Sequence, residues 1–135
     1  MDTASLAHPK QTGPTKRQKR SKKKAKADAF RLAVWTRDQG MDRATGQPLF
    51  QTAPHMTSRG NCCHLQSKGS TPERRYDVAN AVLMSELNHI LSDHRGGRVL
   101  KLTDPETGDP AIDGNKPIRF TLYTKDGKIM WTRVS

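Results

Sequence analysis

Between Lys16 and Lys26, eight of eleven consecutive residues are Lys or Arg. Such a run has almost nothing apolar to bury, and burial is what offsets the entropy lost when a chain is ordered. Residues 1–27 therefore read as a disordered basic arm, and any fold is confined to residues 28–135. Residues 1–28 hold nine Lys or Arg against Asp2 and Asp28. The other 107 residues share only about +4 of the chain's +11. One reading of the arm is a solubility tail or a processed leader. The other is a phosphate-gripping arm, with Arg17, Lys19, Arg20, Lys22, Lys23 and Lys24 supplying salt-sensitive affinity and no sequence readout. The rest of the chain favours the second.

At 135 residues the chain has room for one domain, and with 33% hydrophobic residues its core must be small. Its apolar runs, such as Ala81 to Met84, reach only four residues and are far short of the roughly 20 of a membrane span. The N-terminus carries no apolar h-region, so neither a secretory signal nor a membrane partner is expected. Cys62 and Cys63 are neighbours and cannot staple distant segments, which argues against a disulfide-built secreted fold and for a reducing, cytoplasmic setting. The expected partner is a polyanion.

The folded part reads as α+β. Asp28 is placed to cap a short helix with Phe30, Ala33 and Val34 on one face, ending near Gly40. A polar, turn-rich stretch comes next, from Thr45-Gly46-Gln47-Pro48 to Ser58-Arg59-Gly60. Residues 61–65 read as a strand, and a basic loop with Lys68, Gly69, Arg74 and Arg75 leads to a second strand over Val82-Leu83-Met84. Ser85 then caps a helix over about 85–95, with Leu87, Ile90 and Leu91 as its buried stripe and Gly96-Gly97 as its stop. Val99 to Leu102 alternates like a strand, and residues 118–124 and 128–134 flank Lys125-Asp126-Gly127, a hairpin signal. Residues 28–98 thus form a core domain, and 99–135 a C-terminal β-ribbon packed on it.

Within the strand–loop–strand–helix window stand Cys62-Cys63-His64-Leu65, Asp77-Val78-Ala79-Asn80-Ala81-Val82 and Ser85-Glu86-Leu87-Asn88-His89. In order, spacing and expected secondary structure these resemble the motif of the HNH (ββα-metal) endonucleases. Arg37-Asp38-Gln39-Gly40 and Thr45-Gly46-Gln47-Pro48-Leu49 are similar to the segment that precedes that motif. The resemblance covers about residues 29–95. It implies that the core domain is a ββα-metal nuclease hydrolysing DNA phosphodiesters. His64 would act as general base, since a neutral imidazole can take a proton from water at physiological pH. His89 would help hold one divalent ion (Mg²⁺, Mn²⁺, Ni²⁺ or Zn²⁺) that neutralises charge building on the phosphate. Asn80 would stay off the substrate, bridging backbone groups across the loop so that His64 is fixed. Small members of this kind accompany DNA packaging in tailed phages, so packaging machinery is an implied partner.

The sequence departs from the family pattern at three places. Cys63 stands where many members carry a metal-binding His or Asp; a thiolate would favour Zn²⁺, while the alternative is a small buried packing residue. The second helical ligand is either His94, by residue type, or Asp93, which lies four residues after His89 on the same face. Where many members have two Cys-x-x-Cys pairs for a structural zinc, this chain reads Asp42-Arg43-Ala44-Thr45 and Ser85-Glu86-Leu87-Asn88. That zinc is expected to be missing and the core to be stabilised otherwise, the C-terminal ribbon being one candidate. Lys68, Arg74 and Arg75 lie where substrate would pass and are candidate phosphate contacts or solvated charge. Trp35 and Trp131 read as packing residues, Trp131 beside Arg133 having base stacking as an alternative; His8 and His55 receive no role. The rival functions are a non-catalytic nucleic-acid-binding protein with a degenerate HNH fold and, from composition alone, an RNA-binding basic protein.

Overall fold

The computed structural model describes residues 13–49, 61–92 and 97–135. His8, His55, Asp93 and His94 lie outside them.

The basic run is helical. Helix α1 spans Lys16–Arg37, so the helix starts twelve residues before Asp28. Thr15 and Gln18 close a capping box: the Thr15 amide donates to Gln18 Oε1 at 2.8 Å, and the Gln18 amide to Thr15 Oγ1 at 3.2 Å. Two otherwise orphaned donors are satisfied. Beyond this cap Lys, Arg, Gln and Ala are good helix formers, and Phe30 and Val34 anchor the other end in the core. Asp28 is therefore an interior residue, paired with Arg31 at 2.6 Å. The helix ends at Asp38, and Gln39 and Gly40 both take left-handed φ, +57° and +66°. A Cβ on Gly40 would come 2.7 Å from the Trp35 ring, so only glycine fits this turn.

Strands β1 (Cys62–His64) and β2 (Ala81–Leu83) pair antiparallel, with Cys62 opposite Leu83 and His64 opposite Ala81. Side chains alternate across this ribbon. Cys62, Ala81 and Leu83 pack with Phe30 and Val34 of α1. Cys63, Val82 and Met84 pack on the other side with Leu91, Leu100, Ile118, Phe120 and Leu122. With both faces covered, β2 is fully buried, which is why it reads as an unbroken apolar run.

Helix α2 covers Glu86–Ser92. Its first turn is capped by Ser85, whose Oγ accepts from the Asn88 amide at 3.2 Å. The stripe expected from spacing is rotated: Leu87 is 66% exposed, while Asn88 and Leu91 are the buried positions. The cause is polar. Asn88 Nδ2 donates to the buried carboxylate of Asp42 at 2.7 Å, which turns that face inward.

The C-terminal part is a three-stranded antiparallel sheet rather than a two-stranded ribbon. Its order is β3 (Val99–Thr103), β4 (Arg119–Tyr123), β5 (Ile129–Val134). Gly127, with φ +83°, closes the β4–β5 turn. The central strand β4 lends Phe120 and Leu122 to the core shared with β1–β2, and Trp131 packs against the same cluster. Among the described residues no helix is long and apolar enough to cross a membrane.

Candidate active site

The loop from Gln66 to Arg75 is tied down by Asn80, which is fully buried at the end of a short 3₁₀ turn over Val78–Asn80. Asn80 Oδ1 accepts from the Gln66 amide at 2.8 Å. Its Nδ2 donates to the carbonyls of Gln66 at 2.9 Å and Arg74 at 3.2 Å. Arg74 strengthens the same closure, donating to Gln66 Oε1 at 2.7 Å, to the Ile112 carbonyl at 2.8 Å and to Asp77 at 3.1 Å. Its Nε and Nη1 are therefore engaged in holding the loop.

The next carbonyl, that of Arg75, lies 2.8 Å from His64 Nε2. A carbonyl only accepts, so Nε2 carries the proton and Nδ1 keeps the lone pair. The imidazole also stacks on Phe30, with ring centroids 5.4 Å apart and planes 15° from parallel. Tautomer and ring plane are both set by the protein. Burial is the main influence on His64 and pushes its pKa below 6.5; the Arg75 hydrogen bond opposes this, and the charges of Lys68, His89 and Arg75 reinforce it. The ring is therefore neutral at physiological pH.

His64 opens into a cleft of about 450 Å³ shared with Arg31, Lys68, Arg75, Glu86 and His89. Lys68 and Arg75 are exposed, and the Arg75 guanidinium sits 5.3 Å over the Tyr76 ring. Glu86 and His89 stand one turn apart on α2, both against the cleft. Arg31 reaches the cleft from α1, and its Nε is buried without a hydrogen-bond partner. The structure thus brings together His64, His89, Lys68 and Arg75 of the sequence candidates, with Asn80 behind them.

Cys63 is placed differently. It follows the alternation of β1 away from Cys62, sits in the core cluster with Val82 and Leu91, and lies 3.5 Å from Ser92 Oγ. Among the described residues no three His, Cys, Asp or Glu side chains converge as a metal-binding group. Arg17, Lys19, Arg20, Lys22, Lys23 and Lys24 are all exposed on α1, and outside the cleft.

Two charged cleft residues, Arg31 and Glu86, are not among the sequence candidates. Glu86 is legible as the carboxylate three residues before His89, hence on the same helical face. Arg31 is legible as the residue after Phe30, but only once the helix is known to pack beside His64. The positions where the resemblance leads one to look for zinc-binding cysteines hold a hydrogen-bonded knot. Asp42 accepts from the amides of Ala44 at 2.8 Å and Ser85 at 2.9 Å, and from Asn88 Nδ2. Asp38 beside it accepts from the Leu83 amide at 2.8 Å and from Arg37.

Comparison of the chain with models of known families, with curated proteins and with solved structures returns no match.

Proposed function

We propose that this chain is a metal-assisted endonuclease of the HNH (ββα-metal) type that hydrolyses DNA phosphodiesters. The observation that carries this reading is the relay from Asn80 through the Gln66–Arg75 loop to His64, which presents a neutral imidazole with Nδ1 as its base inside a basic cleft. His64 Nδ1 would take the proton from an attacking water. Arg31, Lys68 and Arg75, which line the cleft, would hold the phosphate. Asn80 is a positioning residue.

An imidazole and a carboxylate one helical turn apart, His89 and Glu86, are a donor pair that suits a hard or borderline divalent ion with water and phosphate oxygens completing its shell. When bound, such an ion supplies charge neutralisation at the phosphate and the leaving oxygen. Cys63, facing the core, is read as a packing residue.

The second reading is a nucleic-acid-binding protein without catalysis, favoured by the inward placement of Cys63. Incubating supercoiled plasmid with wild type, His64→Ala and His89→Ala, in Mg²⁺, Mn²⁺, Ni²⁺, Zn²⁺ or EDTA, separates them. A metal-dependent nick or cut lost in both variants is the expected result; binding without cleavage in every ion selects the second reading.

A further inference from the structure

Helix α1 is the only described element that both lines the cleft and leaves the domain. At about 100° per residue its side chains can be placed around the axis. Phe30 and Val34, the two buried residues, define the side that faces the domain. All eight basic residues from Lys16 to Lys26 fall on an arc of about 220° centred within about 20° of that side. The opposite side carries Gln18, Ser21, Ala25, Ala29 and Leu32, none of them cationic. The stripe that is apolar against the domain therefore turns basic where the helix leaves it. One row of it, Arg20, Lys24, Ala27, Arg31, has i, i+4, i+7, i+11 spacing and ends in the cleft at Arg31.

We infer that α1 is an oriented docking element for duplex DNA, lying in the major groove beside the bound phosphate so that the cleft and Lys16–Lys26 grip one continuous duplex. The inference rests on the nucleic-acid reading of the cleft. The width of the arc decides the kind of duplex. Lys22 and Lys26 flank it on one side and Arg17 and Lys24 on the other, so charge reaches both walls of a groove. The major groove of B-form DNA, about 12 Å wide, admits an α-helix. The deep, narrow major groove of A-form RNA does not. From Phe30 back to Lys16 the helix rises about 21 Å, which spans at most about six base pairs at 3.4 Å each along the duplex axis. The site would therefore require duplex on one side of the bound phosphate for about that length.

The test changes orientation without changing charge. Inserting two alanines after Lys26 rotates the basic arc by about 200° relative to Phe30, and inserting four returns it to within about 40°. Binding of the full-length protein to labelled DNA duplexes with stepped flank lengths is read by fluorescence anisotropy in EDTA, so that cleavage plays no part. Circular dichroism reports whether each variant is folded. The two-residue insertion is expected to weaken binding about tenfold or more and to flatten the slope of log K against log salt by about 3 to 4, and the four-residue insertion to recover most of both. Arg20→Gln with Lys24→Gln and Lys22→Gln with Lys26→Gln, exposed pairs on the two flanks of the arc, should each weaken binding. Equal affinity for all insertions would show an unoriented cationic tail and overturn the inference, as would RNA duplex bound as tightly as DNA. Since no turnover is measured, orientation-dependent binding can hold even where plasmid cleavage fails.

Discussion

His64 donates through Nε2 to the carbonyl of Arg75 at 2.8 Å, and the preceding carbonyl, Arg74, is held by Asn80. A buried amide thereby sets the proton position of an imidazole it does not touch.

Removing that amide tests the relay. Asn80→Ala leaves the Gln66 amide and two carbonyls without their partner in the interior, a cost of about 2 to 4 kcal/mol. Asn80→Asp keeps the acceptor for Gln66 but turns an oxygen toward the two carbonyls, and should be no better. Denaturant melts check the stability. If Asn80 positions the base, plasmid cleavage by the folded fraction should fall by about a hundredfold through kcat with little change in KM. A purely structural role would leave activity per folded molecule unchanged.

The pH dependence comes from the depressed pKa of His64. Burial favours the neutral ring, so a His64 base is unprotonated above its folded pKa, which lies below 6.5. The acid limb of kcat/KM should inflect below 6.5, with a plateau through neutrality. The same group links pH to folding. The stability from its lowered pKa is complete above the unfolded value of 6.5 and is lost as pH falls through the folded one. Urea midpoints at stepped pH should therefore drop on acidification, and His64→Gln should flatten that drop. An acid limb centred above 6.5 would contradict the assignment.

Cys62 is the complementary case. Burial, more than the opposing charges of Arg31 and Arg37, pushes its thiol up to about 12. The thiolate is the reactive form, so alkylation of native protein at pH 8 should leave Cys62 untouched while urea-unfolded protein reacts at once. Peptide mass mapping after iodoacetamide treatment distinguishes the two.

What can be read from the residues, and what cannot, divides along one physical line. The strand pair bracketing the basic loop, the Ser85 cap and the Lys125–Gly127 turn depend on local chemistry, and local chemistry is in the sequence. The start of α1 is local too, since Thr15-x-x-Gln18 is a capping-box pattern, but the density of positive charge beside it argues for disorder. The exposure of Leu87 is not local: apolar spacing puts it in the stripe, and only the Asn88–Asp42 bond, across 46 positions, turns the helix the other way. The cleft has the same character. Glu86 lies on the face of His89 by spacing, whereas Arg31 joins His64 only through the packing of α1 on β1.

The knot at Asp42 gives the last prediction. Its carboxylate is 2% exposed and takes three hydrogen bonds, two of them from Ser85 and Asn88 at the start of the helix that carries His89. Buried donors stripped of their acceptor keep their desolvation cost, so Asp42→Ala should lower stability by about 3 to 5 kcal/mol. Asp42→Asn, which must point an amide hydrogen at one of those donors, should cost about 1 to 3 kcal/mol. Because two of these bonds join the loop after α1 directly to the start of α2, EDTA should leave the thermal midpoint of wild type where it was, even where it abolishes cleavage. A midpoint that falls with EDTA and recovers with Zn²⁺ would show that an ion, not this carboxylate, holds the two segments together.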